Sequence, residues 1–385
     1  MTATTRRYTN AAAIFAAALC AFPIRAQVVI GLTSRSITVG DSTVSERVAL
    51  ARYQLVTDRV RFRIDGSALR FRAPADSISG NLPFSATLDF ARRPGDTLTA
   101  FVRSASAPLD LSARQTSALG IVGTSAVDLE STGLGTPAMG GGRLVLSFPV
   151  GALVAVARAG AEYEPRPGGT QPVYWRGATV RGGVAVIAAS GDDSFTGSLD
   201  VSRSSADSLG GRNLFPGGGT VSLQLQSDLS VASPFDLLED ERWPVRVLAF
   251  YSRPFASGRA DQPNRIIPQG DLLGAIGTML VPVRHVTVAP SLQLLRESSS
   301  STSGTGLVRT VLSGTAWTMQ LGLDVAIPLG GVFELTPQAG YTFGRVGASF
   351  AETAAIRRGR GLVRTTAFSD SIRGRWFGIQ LSASL

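Results

Sequence analysis

The stretch Trp317–Ile327 reads WTMQLGLDVAI. Trp317, Met319, Leu321, Leu323, Val325 and Ile327 fall on alternate positions, with Thr318, Gln320, Gly322, Asp324 and Ala326 between them. Successive side chains of an extended strand point to opposite faces, so the segment has one apolar face and one small, polar face. Pro328-Leu329-Gly330 ends it, and the alternation resumes at once. Phe333, Leu335, Pro337, Ala339, Tyr341 and Phe343 then alternate with Glu334, Thr336, Gln338, Gly340 and Thr342. Upstream, Val221, Leu223, Leu225, Leu229 and Val231 share a face, opposite Ser222, Gln224, Gln226 and Asp228. Such runs extend for about 10–14 residues, against the usual five or six of a soluble strand. A strand crossing a bilayer at a tilt needs about 9–11 residues.

The connections are sorted by length. From residue 143 onward, short turns stand at Pro149–Gly151, Ser190–Asp193, Pro282–Arg284 and Pro328–Gly330. They alternate with longer Gly/Ser/Pro-rich segments at Glu162–Pro172, Ser205–Gly218, Arg253–Gly270, Glu297–Gly306 and Val346–Ile372. Ser233–Trp243 is intermediate and holds the one stretch with helical character, Pro234–Arg242. Tight turns on one side and long loops on the other are the pattern of a membrane barrel. A soluble sandwich has no reason to sort its loops.

Composition narrows the classes further. The 385 residues include 37 Lys+Arg against 28 Asp+Glu, for a formal charge of +9, and every one of those cations is arginine. One cysteine and one histidine exclude a disulfide framework and multi-histidine metal sites. Charged residues are 17% of the chain, too few for a disordered tail protein. The basic charge alone could suggest nucleic acid. Export, and arginines interleaved with Ser and Gly on strands, argue against that partner.

Export is read from residues 1–26. Arg6 and Arg7 precede a short apolar core, Ala11–Phe22, and Ile24-Arg25-Ala26 offers a small residue before Gln27. This is the order of a secretory signal peptide, and the core is too short for a spanning helix. Leu19 before Cys20 does not suit a lipid-attachment site. The expected mature protein is a single domain over 27–385, without a helical span.

The last segment carries the most specific signal. Phe377, Ile379, Leu381, Ala383 and Leu385 alternate with Gly378, Gln380, Ser382 and Ser384. This resembles the C-terminal strand of bacterial outer-membrane β-barrels, although those end in Phe or Trp where this chain has Leu385. The resemblance is to a generic porin-like barrel rather than to one family, and covers roughly residues 143–385. It implies an all-β, antiparallel up-and-down transmembrane barrel in the cell outer membrane after signal-peptide cleavage. It implies outer-membrane lipid and the barrel assembly machinery as partners, with small solutes unnamed.

Strand number is less well determined. Phe84–Phe90 and Leu98–Val102 alternate around Arg93–Asp96, and Arg59–Arg72 reads as a hairpin turning at Asp65-Gly66, a pair suited to a two-residue turn. About 14 strands are expected, within a range of about 12 to 16 according to how many early segments span.

The candidate functional residues are few. Arg59, Arg61, Arg63, Arg70 and Arg72 gather on one face of that expected hairpin. They are read as solvated or acid-paired, as lining a lumen, or as facing lipid phosphate. Trp175, Trp243, Trp317 and Trp376 lie near expected strand ends, as interfacial anchors would. His285 opens a strand after a turn without a partnering Ser-Asn-Gly pattern. Gly140–Gly142 and Gly217–Gly219 lack the Gly-Lys-Ser/Thr ending of a phosphate loop. Asp261, Asp271, Glu297 and Glu352 have no calcium-site spacing. No catalytic group, metal site or cofactor is expected. The function expected is a passive channel, with anion preference if the arginines line it. The alternatives are a non-conducting barrel with a structural or adhesive role, and a soluble secreted β-sandwich or solenoid.

Overall fold

The computed structural model describes residues 25–72, 77–93, 95–104, 138–163, 174–175, 177–204, 207–209, 212–215, 218–232, 242–256, 267–304, 308–356 and 359–384. Expectations falling on residues 1–24, on Pro234–Glu241 and on Leu385 lie outside them. Sixteen strands form one antiparallel barrel. They are β1 (Arg25–Val39), β2 (Ser42–Val56), β3 (Val60–Arg72), β4 (Ser77–Arg93), β5 (Asp96–Ser104), β6 (Ala138–Val150), β7 (Leu153–Tyr163) and β8 (Ala178–Ser190). There follow β9 (Asp193–Ser204), β10 (Gly218–Ala232), β11 (Arg242–Ala256), β12 (Ile267–Met279, continued by Val281–Val283), β13 (Val286–Gly304), β14 (Val308–Gly330), β15 (Phe333–Ile356) and β16 (Gly359–Ser384). Each strand pairs with the next, and β1 pairs with β16 from Gln27↔Ser384 to Val39↔Ile372. Closure leaves no sheet edge open to another chain.

The count corrects the favoured fourteen. Arg25–Val56 supplies a long hairpin in perfect register, from Arg25↔Val56 to Val39↔Ser42. The expected turn at Asp65-Gly66 is absent. β3 runs straight through it, pairing Asp65 with Arg52 of β2 and Ser85 of β4. Phe62 therefore faces Leu55 and Leu88, not Leu69. Two of the expected long loops are also strand. Glu297–Gly304 continues β13, and Val346–Ile372 is filled by β15 and β16, which run for 24 and 26 residues.

The turns at residues 151–152 and 191–192 fall within or beside the expected Pro149–Gly151 and Ser190–Asp193, whereas those expected at Pro282–Arg284 and Pro328–Gly330 lie slightly later, at 284–285 and 331–332, because the flanking strands run on through Val283 and Gly330. Gly151 (φ 62°) and Gly331 (φ 61°) take the left-handed conformation that a tight reversal requires. In the turn before β13 that position is Arg284, at φ 55°. These turns share one end of the barrel with Arg25 and Ser384, and the longer connections, apart from 233–241, lie at the other, together with the tight turn at Gly40-Asp41. We call them the turn end and the loop end. A small separate sheet pairs Tyr174–Trp175 with Asp207–Leu209, which pairs with Arg212–Phe215.

The two faces are inverted relative to a soluble protein. The outward positions of the strands form a continuous apolar girdle, with Ile30, Ile64, Leu98, Val184, Leu225, Leu321 and Phe377 all exposed. Ile30 and Phe377 are each 58% exposed, more than most polar residues opposite them. The buried polar residues Arg35, Glu162, Thr179, Ser198, Thr318, Thr336, Thr342 and Ser382 point inward, while buried Asp96, beside the β4–β5 turn, accepts the Ser147 N–H at 2.8 Å. A smaller inward apolar cluster, Ile37, Ala316, Val346 and Ile372 with Val39, lines the wall toward the loop end.

Candidate functional site

The interior wall is the candidate site. Its chemistry comes from register, because a lumen position draws one residue from each strand in turn. On β2 and β3, Arg52 and Arg63 both face inward beside Asp65. The Arg52 Nε donates to Asp65 Oδ1 at 2.5 Å, and Arg63 Nε donates to Asp65 Oδ2 at 2.6 Å. The carboxylate between them removes the like-charge repulsion that neighbouring arginines would otherwise suffer. Arg61 continues the same face, in register with Asp89 of β4. That carboxylate accepts a 2.6 Å hydrogen bond from Thr99 of β5.

A second set lies on β6 to β10. Arg143 pairs in register with Gly160, and Gly160 with Arg181. The intervening glycine leaves room for the two arginines on either side of it. Arg158 is offset by one inward position and stands 3.2 Å from Asp200. Arg181 reaches Glu162 at 2.6 Å. Arg143, Arg158 and Arg181, with Asp200, Ser202, Thr220, Ser222 and Gln224, line a recess of about 350 Å³. Its wall is guanidinium on one side and hydroxyl and amide on the other, an arrangement suited to transient contact with a carboxylate or phosphate. Farther round, Arg246 is paired with Asp228 at 2.5 Å, and Gln226 donates to the same carboxylate at 2.8 Å.

The β14–β15 wall is different. Asp324, Gln338, Gln320 and Thr342 form inward hydrogen-bonded pairs: Gln338 Nε2 to Asp324 at 3.3 Å, and Thr342 to Gln320 at 3.4 Å. No arginine interrupts the described inward positions of that wall between Thr318 and Asp324 or between Glu334 and Val346. The inward surface is therefore guanidinium-rich on β2, β3 and β6–β8, and carboxylate- and amide-bearing on β14 and β15.

The residues singled out from sequence are dispersed by this arrangement. Arg61 and Arg63 are inward on β3. Arg59 lies in the β2–β3 turn, exposed, with its carbonyl accepting the Ala91 N–H at 2.7 Å. Arg70 and Arg72 are in register with Arg47 and Ser45, an odd number of residues from Arg61 along an unbroken strand. Their side chains lie outside the described residues, as does that of Trp175. Phe377, Ile379 and Leu381 face outward with Ala383, continuing the girdle. Trp317 is outward and meets Phe343 edge-on at 6.5 Å. Trp243, opposite Val231, is buried. Trp376 faces the opposite way from an interfacial anchor: it is inward and 9% exposed, against Gly340 and Gly322. Sequence reasoning did not find Arg52, Arg143, Arg158 or Arg181. Arg143, Arg158 and Arg181 are each the lone arginine of their strand, Arg52 shares β2 with the outward Arg47, and only register brings them together. Among the described residues no group of His, Cys, Asp and Glu could hold a metal ion.

The architecture is that of a generic outer-membrane β-barrel, porin-like in its closure and in the inversion of its faces. No protein-family model matches the chain, and no curated protein matches it. Among solved structures it is similar to OmpT, an outer membrane protein of Vibrio cholerae, at 12% identity and TM-score 0.42, over 94% of this chain and 98% of that one. It is similar to an anion-selective porin from Comamonas acidovorans, at 10% identity and TM-score 0.43, over 94% and 99%. It is also similar to Pseudomonas aeruginosa OpdL, at 11% identity and TM-score 0.36, over 94% and 99%.

Proposed function

We propose that the protein spans a bacterial outer membrane as a passive, porin-like channel, with small anionic solutes favoured along its arginine-lined wall. One observation carries this reading: apolar side chains face outward all round the barrel, while charged and hydroxyl-bearing side chains face the interior. In water that distribution would expose the girdle and invite aggregation. In a bilayer it satisfies both lipid and lumen, because every strand's backbone is paired within the closed sheet. By the usual asymmetry of such barrels, the turn end faces the periplasm and the loop end faces outward. Solute selection needs no catalytic group. Guanidinium groups on one wall raise the local concentration of anions, and the carboxylates among them limit the effect.

The test is twofold. Unheated protein in detergent should migrate differently from boiled protein on a gel, and purified protein should open steps of conductance in planar bilayers. A folded protein that stays soluble and monodisperse without detergent sinks the membrane reading. A second reading, a non-conducting barrel with a surface-interaction role, is favoured by the length of β13 to β16. At 19, 23, 24 and 26 residues, they extend well past what a bilayer needs. A heat-modifiable protein with no conductance selects it.

A further inference from the structure

The inward arginines have an outward counterpart. On β13 to β16, and across the seam on β1 and β2, the outward positions are apolar up to one level and then change. Above that level stand Arg296, Trp317, Arg345, Arg373, Arg375 and Arg47. Arg296 is in register with Trp317, and Trp317 with Arg345. Arg373 and Arg375 are in register with Phe343 and Tyr341 on one side and with Thr38 and Ser36 on the other. Arg47 is opposite Ser34. All five arginines are exposed. Among the described residues none of them takes part in an ion pair. No aspartate or glutamate occupies a described outward position on these six strands; the positions around the arginines are Ser34, Ser36, Thr38, Ser45, Ser298 and Ser371, and the nearest outward carboxylate is Asp271 of the flanking β12, which accepts a hydrogen bond from Ser298 beside Arg296.

Exposed arginines alone would mean little. Here the apolar band beneath them sets their depth. The girdle ends at Leu294, Met319, Phe343, Phe377 and Leu32, so the cations stand at the border of the hydrocarbon, where headgroups lie. A guanidinium fork matches phosphate oxygens two at a time, and neighbouring hydroxyls can donate to the same group. The turn-end rim has no such bias: Arg59, Arg92 and Arg284 are exposed there alongside Asp58 and Asp192.

We propose that this six-strand sector binds the phosphorylated headgroup of an anionic lipid in the leaflet at the loop end. The proposal rests on the membrane reading above. Arg345, Arg373, Arg375 and Arg47 have no outward carboxylate beside them among the described residues, and Arg296 borders only Asp271; held at headgroup depth on contiguous strands, these cations repel one another until a phosphate-bearing lipid neutralises them.

The experiment uses the full chain in neutral detergent and native mass spectrometry to count bound lipid. The probes are a bisphosphorylated glycolipid, the same glycolipid without phosphate, and inorganic phosphate. The protein should retain the phosphorylated lipid in preference to the dephosphorylated one. R345Q/R373Q/R375Q should weaken that binding on the order of a hundredfold, with the heat-dependent gel shift intact. R59Q/R92Q/R284Q, at the other rim, should bind as the parent does. Should the first triple variant fail to fold, R345Q and R373Q singly should each weaken binding about fivefold. Equal binding of the dephosphorylated lipid, full affinity in R345Q/R373Q/R375Q, or displacement of the lipid by inorganic phosphate at equal concentration overturns the proposal. A parent protein with no heat-dependent gel shift overturns the membrane reading instead.

Discussion

The indole of Trp376 occupies the space that a side chain on Gly340 would need: a Cβ there would overlap the indole Nε1. The two residues are in register on β15 and β16, so the bulkiest lumen side chain among the described residues is seated against its neighbour's bare backbone. Gly340→Val should lift the indole off the wall. The expected result is a loss of about 1–3 kcal/mol of stability, as for other overpacked sites, read from the urea midpoint in micelles. Conductance should fall as the ring enters the pore. Trp376→Ala should move conductance the other way. Equal conductance in both variants would show that the ring does not border the permeation path.

Adjacent positions on β10 test the inversion of the faces. Leu225 is outward and 56% exposed, in register with Gly197 and Ala249; Gln224 is inward. Leu225→Arg should destabilise the barrel by about 2–4 kcal/mol, as a cation near the bilayer midplane does. Gln224→Arg should leave stability within about 0.5 kcal/mol. Equal cost at the two positions would mean that neither face meets lipid.

The Arg52–Asp65–Arg63 group sets local charge in the lumen. Asp65→Asn leaves two guanidinium groups without their shared carboxylate. The reversal potential in a salt gradient should shift toward the anion's equilibrium potential. Because the arginines are about a third exposed, 36% and 32%, the stability loss should stay near 1 kcal/mol. An unchanged potential would place this group off the conduction path.

The recess on β6 to β10 should respond oppositely. Arg158→Gln and Arg181→Gln together remove two cations while keeping hydrogen-bonding side chains. Permeation of a small dicarboxylate should fall several-fold, with that of a neutral sugar unchanged, in a liposome-swelling assay. A parallel fall for the sugar would point to pore narrowing rather than charge.

Arg284 adopts a conformation that costs a non-glycine residue about 1–2 kcal/mol, and the equivalent turns use glycine. Arg284→Gly should therefore be neutral or stabilising in urea unfolding. A clear loss of stability would show that the arginine side chain anchors this turn.

The outward and inward faces of β10 and of the turn-end halves of β14–β16 are legible in the sequence because apolar and small polar residues alternate there, with Ser227 the one outward polar residue between Val221 and Val231. Asp65-Gly66 misleads for a physical reason: the pair favours a tight turn locally, but in the barrel Asp65 is held in register between Arg52 and Ser85, and pairing prevails over local preference. The Ser-rich run after Glu297 has the composition of a loop, yet it continues β13 because β12 and β14 pair with it on both sides. β1 and β2 carry Ser, Thr and Arg on the outward face near the loop end, which dilutes their alternation and hides two strands. The lumen site is the least legible part. Arg143, Arg158 and Arg181 meet only through the Gly160 register, and no spacing along the chain encodes that.

The seam between β1 and β16 joins Gln27 to Ser384, so the most sequence-distant pairing in the described chain is also the one that completes the wall. Every other barrel pair is formed by consecutive strands and can assemble by zipping from hairpin to hairpin. Seam formation must bring the ends of a nearly finished ribbon together, against the largest loop-closure entropy in the molecule. Weakened pairing along Val28–Leu32 should thus slow refolding into micelles far more than it accelerates unfolding, and leave an open, aggregation-prone sheet as the species that accumulates.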